Sequence, residues 1–203
     1  MSTIAIIDYG VGNLRSVEKA FAATGHAAIV TGDKDKLRLA ERLVLPGVGA
    51  FASCMNSLAN EGLIDFVKER VAAGTPLLGV CVGMQMLFDE SDEFGKTAGL
   101  GIMKGYVRRF GEQLVVPQVG WNQINQERQH PLFAGIGNNS FFYFVHSYFC
   151  EPKDRETVMG ITDYGFSYAS VVADRNVCGV QFHPEKSQAV GLRMLANFAE
   201  MSV

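Results

Sequence analysis

Short apolar runs alternate with amphipathic stretches along the first half of the chain. Apolar runs this short predict strands, because a buried helix needs a longer apolar stretch. The predicted strands cover residues 3–9, 27–30, 42–45 and 77–80. Between them, apolar residues recur at helical spacing over residues 14–24, 50–58 and 62–73. This alternation predicts an α/β fold with a doubly wound, mostly parallel sheet and flanking helices.

The second half of the chain is rich in strand patterns. The predicted strands cover residues 106–110, 114–117, 119–122, 141–149, 158–162, 168–173 and 177–182, and a helix closes the chain. The aromatic-rich stretch 141–149 is predicted as a central strand with His146 and Ser147 at or near its end. No repeat, linker or low-complexity tract interrupts the pattern, so residues 1–203 are predicted to form a single domain.

Three loops are predicted to meet at one edge of the sheet. In a doubly wound sheet the functional site lies beyond the carboxyl ends of the parallel strands. Residues 10–13, 46–49 and 81–85 all follow predicted strands. The Gly10-Val11-Gly12 turn lacks the third glycine of a dinucleotide fingerprint, because Arg15 occupies that position. A tight turn is therefore favoured over nucleotide binding.

Cys81 lies between Gly79 and Gly83, where the fourth predicted strand passes into a helix. Small residues at such a turn allow a sharp, strained elbow that exposes the thiol. Backbone N–H groups at the start of the helix favour a thiolate and can bind an oxyanion. A cysteine buried in the core beside an ordinary turn is the alternative.

His183 ends the last predicted strand, and Glu185 follows two residues later. A carboxylate this close can hold one imidazole nitrogen, which leaves the other nitrogen free to act as a base. Cys81 and His183 are predicted at the same edge of the sheet. Cysteine, histidine and carboxylate would then fill the roles of nucleophile, base and orienting group. A structural histidine is the alternative when His183 is considered alone.

The composition argues against several classes of function. Apolar residues make up 48% and charged residues 19% of the chain, as in soluble globular proteins, and the formal net charge is −3. A negative chain without a basic block argues against nucleic acid or a membrane surface as a partner. The chain shows neither a signal-peptide pattern nor an apolar run long enough to span a bilayer. The four cysteines are scattered without a C-x-x-C pair, so we expect no metal, disulfide or cofactor and a reduced, cytoplasmic location.

Two motifs resemble those of the class I (triad) glutamine amidotransferases. They are residues 79–85, Gly-Val-Cys-Val-Gly-Met-Gln, and residues 181–185, Gln-Phe-His-Pro-Glu. Three further stretches resemble the glutaminase subunits of imidazole glycerol phosphate synthases, namely residues 8–14, 45–51 and 144–148. The resemblance extends from Asp8 to the final helix with no departure at a catalytic position, and it implies L-glutamine as the substrate.

The resemblance implies that Cys81 attacks the side-chain amide of glutamine, that His183 transfers protons and that Glu185 orients the imidazole. It implies an oxyanion hole built from the N–H of Val82 and an N–H of the loop that contains Val48 and Gly49. The residues implied in holding glutamine are Gly49, Gln85, Glu93, His146 and Ser147. An ordinary first-turn polar residue is the alternative for Gln85, and plain acidic surface is the alternative for Glu93.

The resemblance also implies a partner, because ammonia that escapes into water is protonated and no longer a nucleophile. The family pattern is a heterodimer with a (β/α)8-barrel cyclase. The cyclase receives ammonia through a tunnel and forms imidazole glycerol phosphate and AICAR in histidine biosynthesis. Asn13, Arg15 and Trp121 are expected at or near that interface, with a core position as the alternative for Trp121. Glycines on both sides of Val48 would allow a peptide flip, so this loop is expected to gate the oxyanion hole.

Three other classes of protein remain open. A different triad amidotransferase, of the anthranilate, GMP or pyridoxal phosphate type, would share the catalytic motifs but not residues 8–14 and 146–148. A stand-alone cysteine hydrolase would act on larger substrates without a partner. A non-catalytic module of the same fold would keep its function after Cys81→Ala.

Overall fold

The computed structural model describes residues 3–202. Its strands are β1 (Ile4–Ile7), β2 (Ala28–Thr31), β3 (Arg42–Gly47), β4 (Leu77–Cys81), β5 (Glu90–Ser91), β6 (Thr97–Ala98), β7 (Gly105–Arg109), β8 (Gln118–Gln126), β9 (Ser140–His146), β10 (Tyr148–Pro152), β11 (Val158–Asp163), β12 (Ser167–Asp174) and β13 (Val177–Val180). Its helices are α1 (Leu14–Ala23), α2 (Lys34–Leu39), α3 (Phe51–Asn60), α4 (Leu63–Ala72), α5 (Val82–Met86) and α6 (Gln188–Glu200). Single turns of 3-10 helix lie at Pro131–Phe133, Arg155–Thr157 and Pro184–Lys186.

The sheet consists of a parallel block followed by antiparallel strands. Its order is β2-β1-β3-β4-β13-β12-β10-β7-β5-β6, and the first five strands pair in parallel. From β13 to β7 the neighbours pair antiparallel. A branch leaves this path through β11, which pairs with β12 and β8, and β8 pairs with β9. The α/β class predicted from the sequence is confirmed, with the parallel strands in the first half and at β13.

The centre of the sheet is apolar throughout. Every residue of β1, β4 and β13 is buried. Helices α1 and α6 pack together, and α3 packs on α4 and α5, so the central strands are covered. A strand covered on both faces needs apolar residues at every position, which explains why continuous short runs identified these strands in the sequence. Within residues 3–202, no helix combines the length and the apolar character needed to cross a bilayer.

The predicted strand at residues 114–117 is wrong. This segment forms a surface loop, in which Leu114 N–H donates to the carbonyl of Gly111 and Val115 is largely exposed. Pro117 has no N–H to give to a ladder, and the carbonyl of Val115 accepts a hydrogen bond from the Tyr164 hydroxyl instead. The apolar side chains of this segment therefore indicated a strand that its backbone hydrogen bonds do not form.

The prediction of one central strand at residues 141–149 is also wrong. The stretch forms two strands, β9 and β10, which separate at Ser147. Within the described residues β9 pairs with β8 alone, whereas β10 lies between β12 and β7. At Ser147 the chain leaves the pair of β8 and β9 and enters the main path of the sheet. Alternating aromatic residues are compatible with a strand in either place, so the pattern did not reveal the break. His146 does end a strand, as predicted.

Candidate active site

A cavity of about 370 Å³ opens at the carboxyl ends of the parallel strands. Its wall comes from the loop after β3, the elbow between β4 and α5, the corner between β9 and β10, and the segment after β13. Most of the residues singled out in the sequence line this cavity: Val48, Gly49, Cys81, Val82, Gln85, Glu93, His146, Ser147 and His183. Glu185 lies behind His183 and is nearly inaccessible to solvent.

Cys81 occupies a strained backbone conformation at the elbow, with φ 56° and ψ −115°. Non-glycine residues rarely adopt positive φ, and strain of this kind is typical of functional sites. The elbow packs tightly against its neighbours. A Cβ on Gly79 would lie 2.7 Å from the carbonyl oxygen of Gly83, and a Cβ on Gly83 would overlap the carbonyl of Leu45. Glycines are therefore needed around Cys81 for close backbone contact, as the sequence pattern indicated.

His183 and Glu185 form a buried ion pair, in which Nδ1 of the ring lies 2.8 Å from Oε1 of the carboxylate. The second carboxylate oxygen is buried, and it has no hydrogen-bond partner among residues 3–202. Burial alone lowers the pKa of His183, but hydrogen bonds and charge interactions with Cys81 and Glu185 outweigh burial and raise that pKa to about 9. The ring is thus held from one side, and its interaction with Cys81 is strong enough to affect its protonation.

The raised pKa of His183 predicts a loss of stability with rising pH. A group that binds its proton more tightly when folded stabilises the fold fully below its ordinary pKa of 6.5, and this contribution is lost as the pH rises through about 9. We expect the free energy of unfolding, measured by urea titration, to fall between these two pH values. The variant His183→Gln binds no proton at this position and should lack that part of the slope. Equal slopes for both proteins would contradict the assignment.

Gln85 and Gln181 form a buried amide pair beside the thiol. Nε2 of Gln85 donates to the carbonyl of Tyr148 and to Oε1 of Gln181, both at 3.1 Å. Nε2 of Gln181 lies 4.0 Å from Sγ of Cys81. Because both hydrogens of the Gln85 amide are engaged, this side chain offers the cavity only its oxygen, which is an acceptor. Gln85 is therefore more than an ordinary first-turn polar residue.

The ring of His146 is held by protein groups on both sides. Nδ1 lies 2.8 Å from the carbonyl of Tyr148, and Nε2 lies 3.1 Å from the hydroxyl of Tyr168. Burial lowers the pKa of His146 to about 4, so the ring is neutral at neutral pH. A carbonyl only accepts, which assigns the single ring hydrogen to Nδ1. What His146 still offers to a ligand is its backbone and the surface of its ring.

Glu93 combines a structural contact with a position at the cavity. One of its carboxylate oxygens accepts a hydrogen bond from the N–H of Phe51, at 2.6 Å. Phe51 is the first residue of α3, where backbone N–H groups lack helical partners and favour negative charge. Glu93 is only partly exposed, so its acidic side chain is not plain solvated surface. Glu93 thereby joins the segment after β5 to the start of α3, next to the cavity.

The residues expected at an interface lie outside this cavity. Asn13 and Arg15 line a separate depression beside the start of α1, and β3 separates their strand from β4 in the sheet. The prediction of three loops at one mouth therefore holds for the loops after β3 and β4 but not for residues 10–13. Trp121 lies on β8 with 45% of its surface exposed, and its ring meets Tyr143 edge-on. That exposure excludes a core position for Trp121.

Two residues that position the site were not identified from the sequence. Gln181 is fully buried and reaches the thiol, although its place two residues before His183 is the only signal that the sequence offered. The hydroxyl of Ser187 donates to the carbonyl of His183 and accepts from the N–H of Tyr143, and it thereby fixes the segment after β13. Among residues 3–202, no group of three or more His, Cys, Asp or Glu side chains is arranged to hold a metal ion.

Known proteins resemble the chain over nearly its whole length. The family described as "Glutamine amidotransferase class-I" matches residues 5–201. The chain is 49% identical over 205 residues to the "Imidazole glycerol phosphate synthase subunit HisH" of Syntrophotalea carbinolica, with 98% of this chain and 100% of that protein covered. It is 46% identical over 208 residues to the protein of the same name from Geobacter sulfurreducens, with 99% and 100% covered.

Solved structures share the fold at lower sequence identity. One described as "Crystal structure of glutamine amidotransferase" superposes with a TM-score of 0.76 at 22% identity and covers 98% of this chain and 99% of its own. A chain of the structure described as "Structure of PurLQS from Thermotoga maritima" superposes with a TM-score of 0.76 at 17% identity, with 98% and 97% covered. These structures support the fold, and the two relatives named before them support the family.

Proposed function

The chain belongs to the class-I glutamine amidotransferase family, and from that premise we propose that it is the glutaminase subunit of an imidazole glycerol phosphate synthase. It hydrolyses L-glutamine to glutamate and passes ammonia to a cyclase, which forms imidazole glycerol phosphate and AICAR in histidine biosynthesis. The observation that carries this proposal is the shared cavity of Cys81, at its strained elbow, and His183, which Glu185 holds.

The first half of the reaction forms a thioester. Sγ of Cys81 attacks the side-chain amide carbon of glutamine, and the C–N bond breaks after His183 has given a proton to the amide nitrogen. Nδ1 of His183 is engaged by Glu185, so Nε2 is the nitrogen that exchanges protons. An imidazolium beside Cys81 stabilises the attacking thiolate. The products of this half are ammonia and a glutamyl thioester on Cys81.

The second half of the reaction releases glutamate. Water attacks the thioester carbon while Nε2 of His183 accepts a proton from it, and the C–S bond breaks to regenerate Cys81. Glu185 keeps its hydrogen bond to Nδ1 throughout and stabilises the imidazolium that forms. Neither half consumes an electron donor or a cofactor.

The negative charge of each tetrahedral intermediate requires hydrogen-bond donors. Val82 is the first residue of α5, and backbone N–H groups in the first turn of a helix lack helical partners. The second donor comes from the loop of Val48 and Gly49, both of which line the cavity. Gly49 has φ 85°, a conformation that glycine adopts readily. A change in this loop would present or withdraw the second donor.

Glutamine itself would be held by groups around the rim. The oxygen of Gln85 and the carboxylate of Glu93 are acceptors that suit the α-ammonium group. The corner of His146 and Ser147 provides backbone groups for the α-carboxylate. Gly49 leaves space for the substrate, since nothing lies within 4 Å of a Cβ built at that position.

The protein acts as one part of a complex. We infer a heterodimer with a (β/α)8-barrel cyclase, with Asn13, Arg15 and exposed Trp121 at or near the contact. Residues 1–203 act as one domain, and the four free cysteines of the structure agree with a cytoplasmic location. The cyclase covers the site so that ammonia reaches its acceptor before water can protonate it.

Genetic complementation tests the choice of synthase. We expect this chain to restore growth without histidine to a bacterial strain that lacks its own glutaminase subunit but retains the cyclase. In the purified pair, we expect glutaminase turnover to rise by about 10²-fold or more when the cyclase and its ligand are present, because the loop then supplies its donor.

Other outcomes would identify other functions. Rescue of an auxotroph for tryptophan or guanine nucleotides, and not for histidine, would assign the chain to another amidotransferase. Full activity of the isolated chain on larger γ-glutamyl substrates would identify a stand-alone hydrolase. Equal turnover with and without the loaded cyclase would refute the gated loop.

A further inference from the structure

We propose that Tyr9 and Cys54 are positioning residues that hold residues 46–49, the last two residues of β3 and the first two of the loop after it, and so set the geometry of the oxyanion hole. The inference rests on the proposed function, because it assigns the two side chains a role in the same reaction. Neither residue lines the cavity that contains Cys81. Their effect on the reaction therefore passes through the backbone of the loop.

Tyr9 lies two residues after the end of β1, and its ring is almost completely buried. Its hydroxyl donates a hydrogen bond of 2.6 Å to the carbonyl oxygen of Pro46, the residue before the last of β3, which leads into the loop. It also lies 3.8 Å from Sδ of Met86, in α5. A tyrosine that is buried to this extent needs a partner for its hydroxyl, and the loop carbonyl is that partner. Tyr9 thereby joins the loop to the last residue of α5, the helix that follows Cys81.

Cys54 lies in α3 and is completely buried. Its Sγ donates to the carbonyl oxygen of Val48 at 3.3 Å. Cys54 also lies close to the hydroxyl of Tyr9, so the two side chains form one cluster under the loop. Burial raises the pKa of both groups, which therefore keep their hydrogens at neutral pH. Each has one hydrogen to give, and each gives it to a carbonyl of the loop.

The two contacts restrain different peptide groups. Tyr9 holds the peptide between Pro46 and Gly47, and Cys54 holds the peptide between Val48 and Gly49. Gly47 is packed against the elbow, since a Cβ there would lie 2.7 Å from the backbone nitrogen of Gly83. The peptide between Gly47 and Val48 lies between these restraints and has neither of them. The cluster thus confines movement of the loop to rotation of the peptide between Gly47 and Val48. It also keeps the axis of that rotation fixed relative to Cys81.

Removal of the Tyr9 hydroxyl tests the inference. In the complex with the loaded cyclase, we expect Tyr9→Phe to lower kcat for glutamine hydrolysis by about tenfold, with KM changed less than twofold, because a displaced donor weakens transition-state binding. Cys54→Ala should lower kcat in the same way. Cys54→Ser keeps a hydrogen for the carbonyl of Val48 and should recover at least half of the lost activity.

Tyr164→Phe is the matched control. The Tyr164 hydroxyl also donates at 2.6 Å to a loop carbonyl, that of Val115, but this loop is not the one after β3. We expect Tyr164→Phe to retain the wild-type kcat, whereas a merely structural role for Tyr9 predicts that both variants lose stability and keep kcat. Wild-type kcat in folded Tyr9→Phe and Cys54→Ala complexes would overturn the inference. That result differs from failure of the proposed function, in which the wild-type complex itself would not hydrolyse glutamine.

Discussion

Replacement of Cys81 by alanine is expected to reduce glutamine-dependent synthesis by about 10⁴-fold or more, because the proposed thioester forms on this thiol. The same variant should synthesise normally when ammonium salt replaces glutamine at a pH at which free ammonia is present. Ammonia then reaches the cyclase without the hydrolytic step. The measurement is the rate of imidazole glycerol phosphate formation by the complex with each nitrogen source.

The other cysteines provide the control for this experiment. Cys54, Cys150 and Cys178 are all buried thiols, and burial raises the pKa of each. An electrophilic glutamine analogue should therefore label Cys81 alone, as read by mass spectrometry of the peptides. Cys178→Ala should be labelled at Cys81 as the wild type is. Glutamine-dependent synthesis by the Cys81→Ala complex, or labelling at another cysteine, would refute the assigned nucleophile.

Replacement of Gly83 by alanine is expected to lower the free energy of unfolding by about 3 kcal/mol or more and to abolish glutaminase activity. The added Cβ would overlap the carbonyl of Leu45, so either β3 or the elbow must move. Alanine gains about 1 kcal/mol over glycine within a helix, which is too little to offset this overlap. Chemical denaturation of the purified protein measures the stability, and a glutaminase assay with the cyclase measures the activity.

Gly137→Ala is the control for this substitution. A Cβ at Gly137 would meet nothing closer than 3.9 Å, and the residue is exposed just before a surface turn. We expect its free energy of unfolding to stay within about 0.5 kcal/mol of the wild type. Should Gly83→Ala prove as stable and as active as Gly137→Ala, close packing at the elbow would not be what holds Cys81.

The catalytic candidates could be predicted because their local sequence is informative. Glycines on both sides of Cys81 mark a turn that other residues do not fit, and the carboxylate of Glu185 is close enough in sequence to reach His183. Both predictions depend on neighbouring residues and on the rule that parallel strands end at one edge. Strands β1 and β4 were predicted for a similar reason, since every residue of each is buried and neither contains a charged residue.

The remaining features depend on which strands become neighbours, which a local pattern does not specify. The aromatic residues of 141–149 suit a central strand and two outer strands equally well. The contact between Gln85 and Gln181 joins residues that are distant in the sequence, and neither side chain shows by itself that it needs the other. Likewise, the hydroxyl of Tyr9 finds Pro46 only after β1 and β3 have paired. These residues became identifiable through their hydrogen bonds.

The pairing of β4 with β13 also determines when the site can first exist. Val80 and Val180 face each other across these parallel strands, and each lies just before the segment that carries Cys81 or His183. Cys81 is therefore synthesised early, whereas His183 follows the last strand of the sheet. A nascent or truncated chain that ends before residue 177 carries the thiol without a base. Under the proposed mechanism, such a chain should release no ammonia from glutamine.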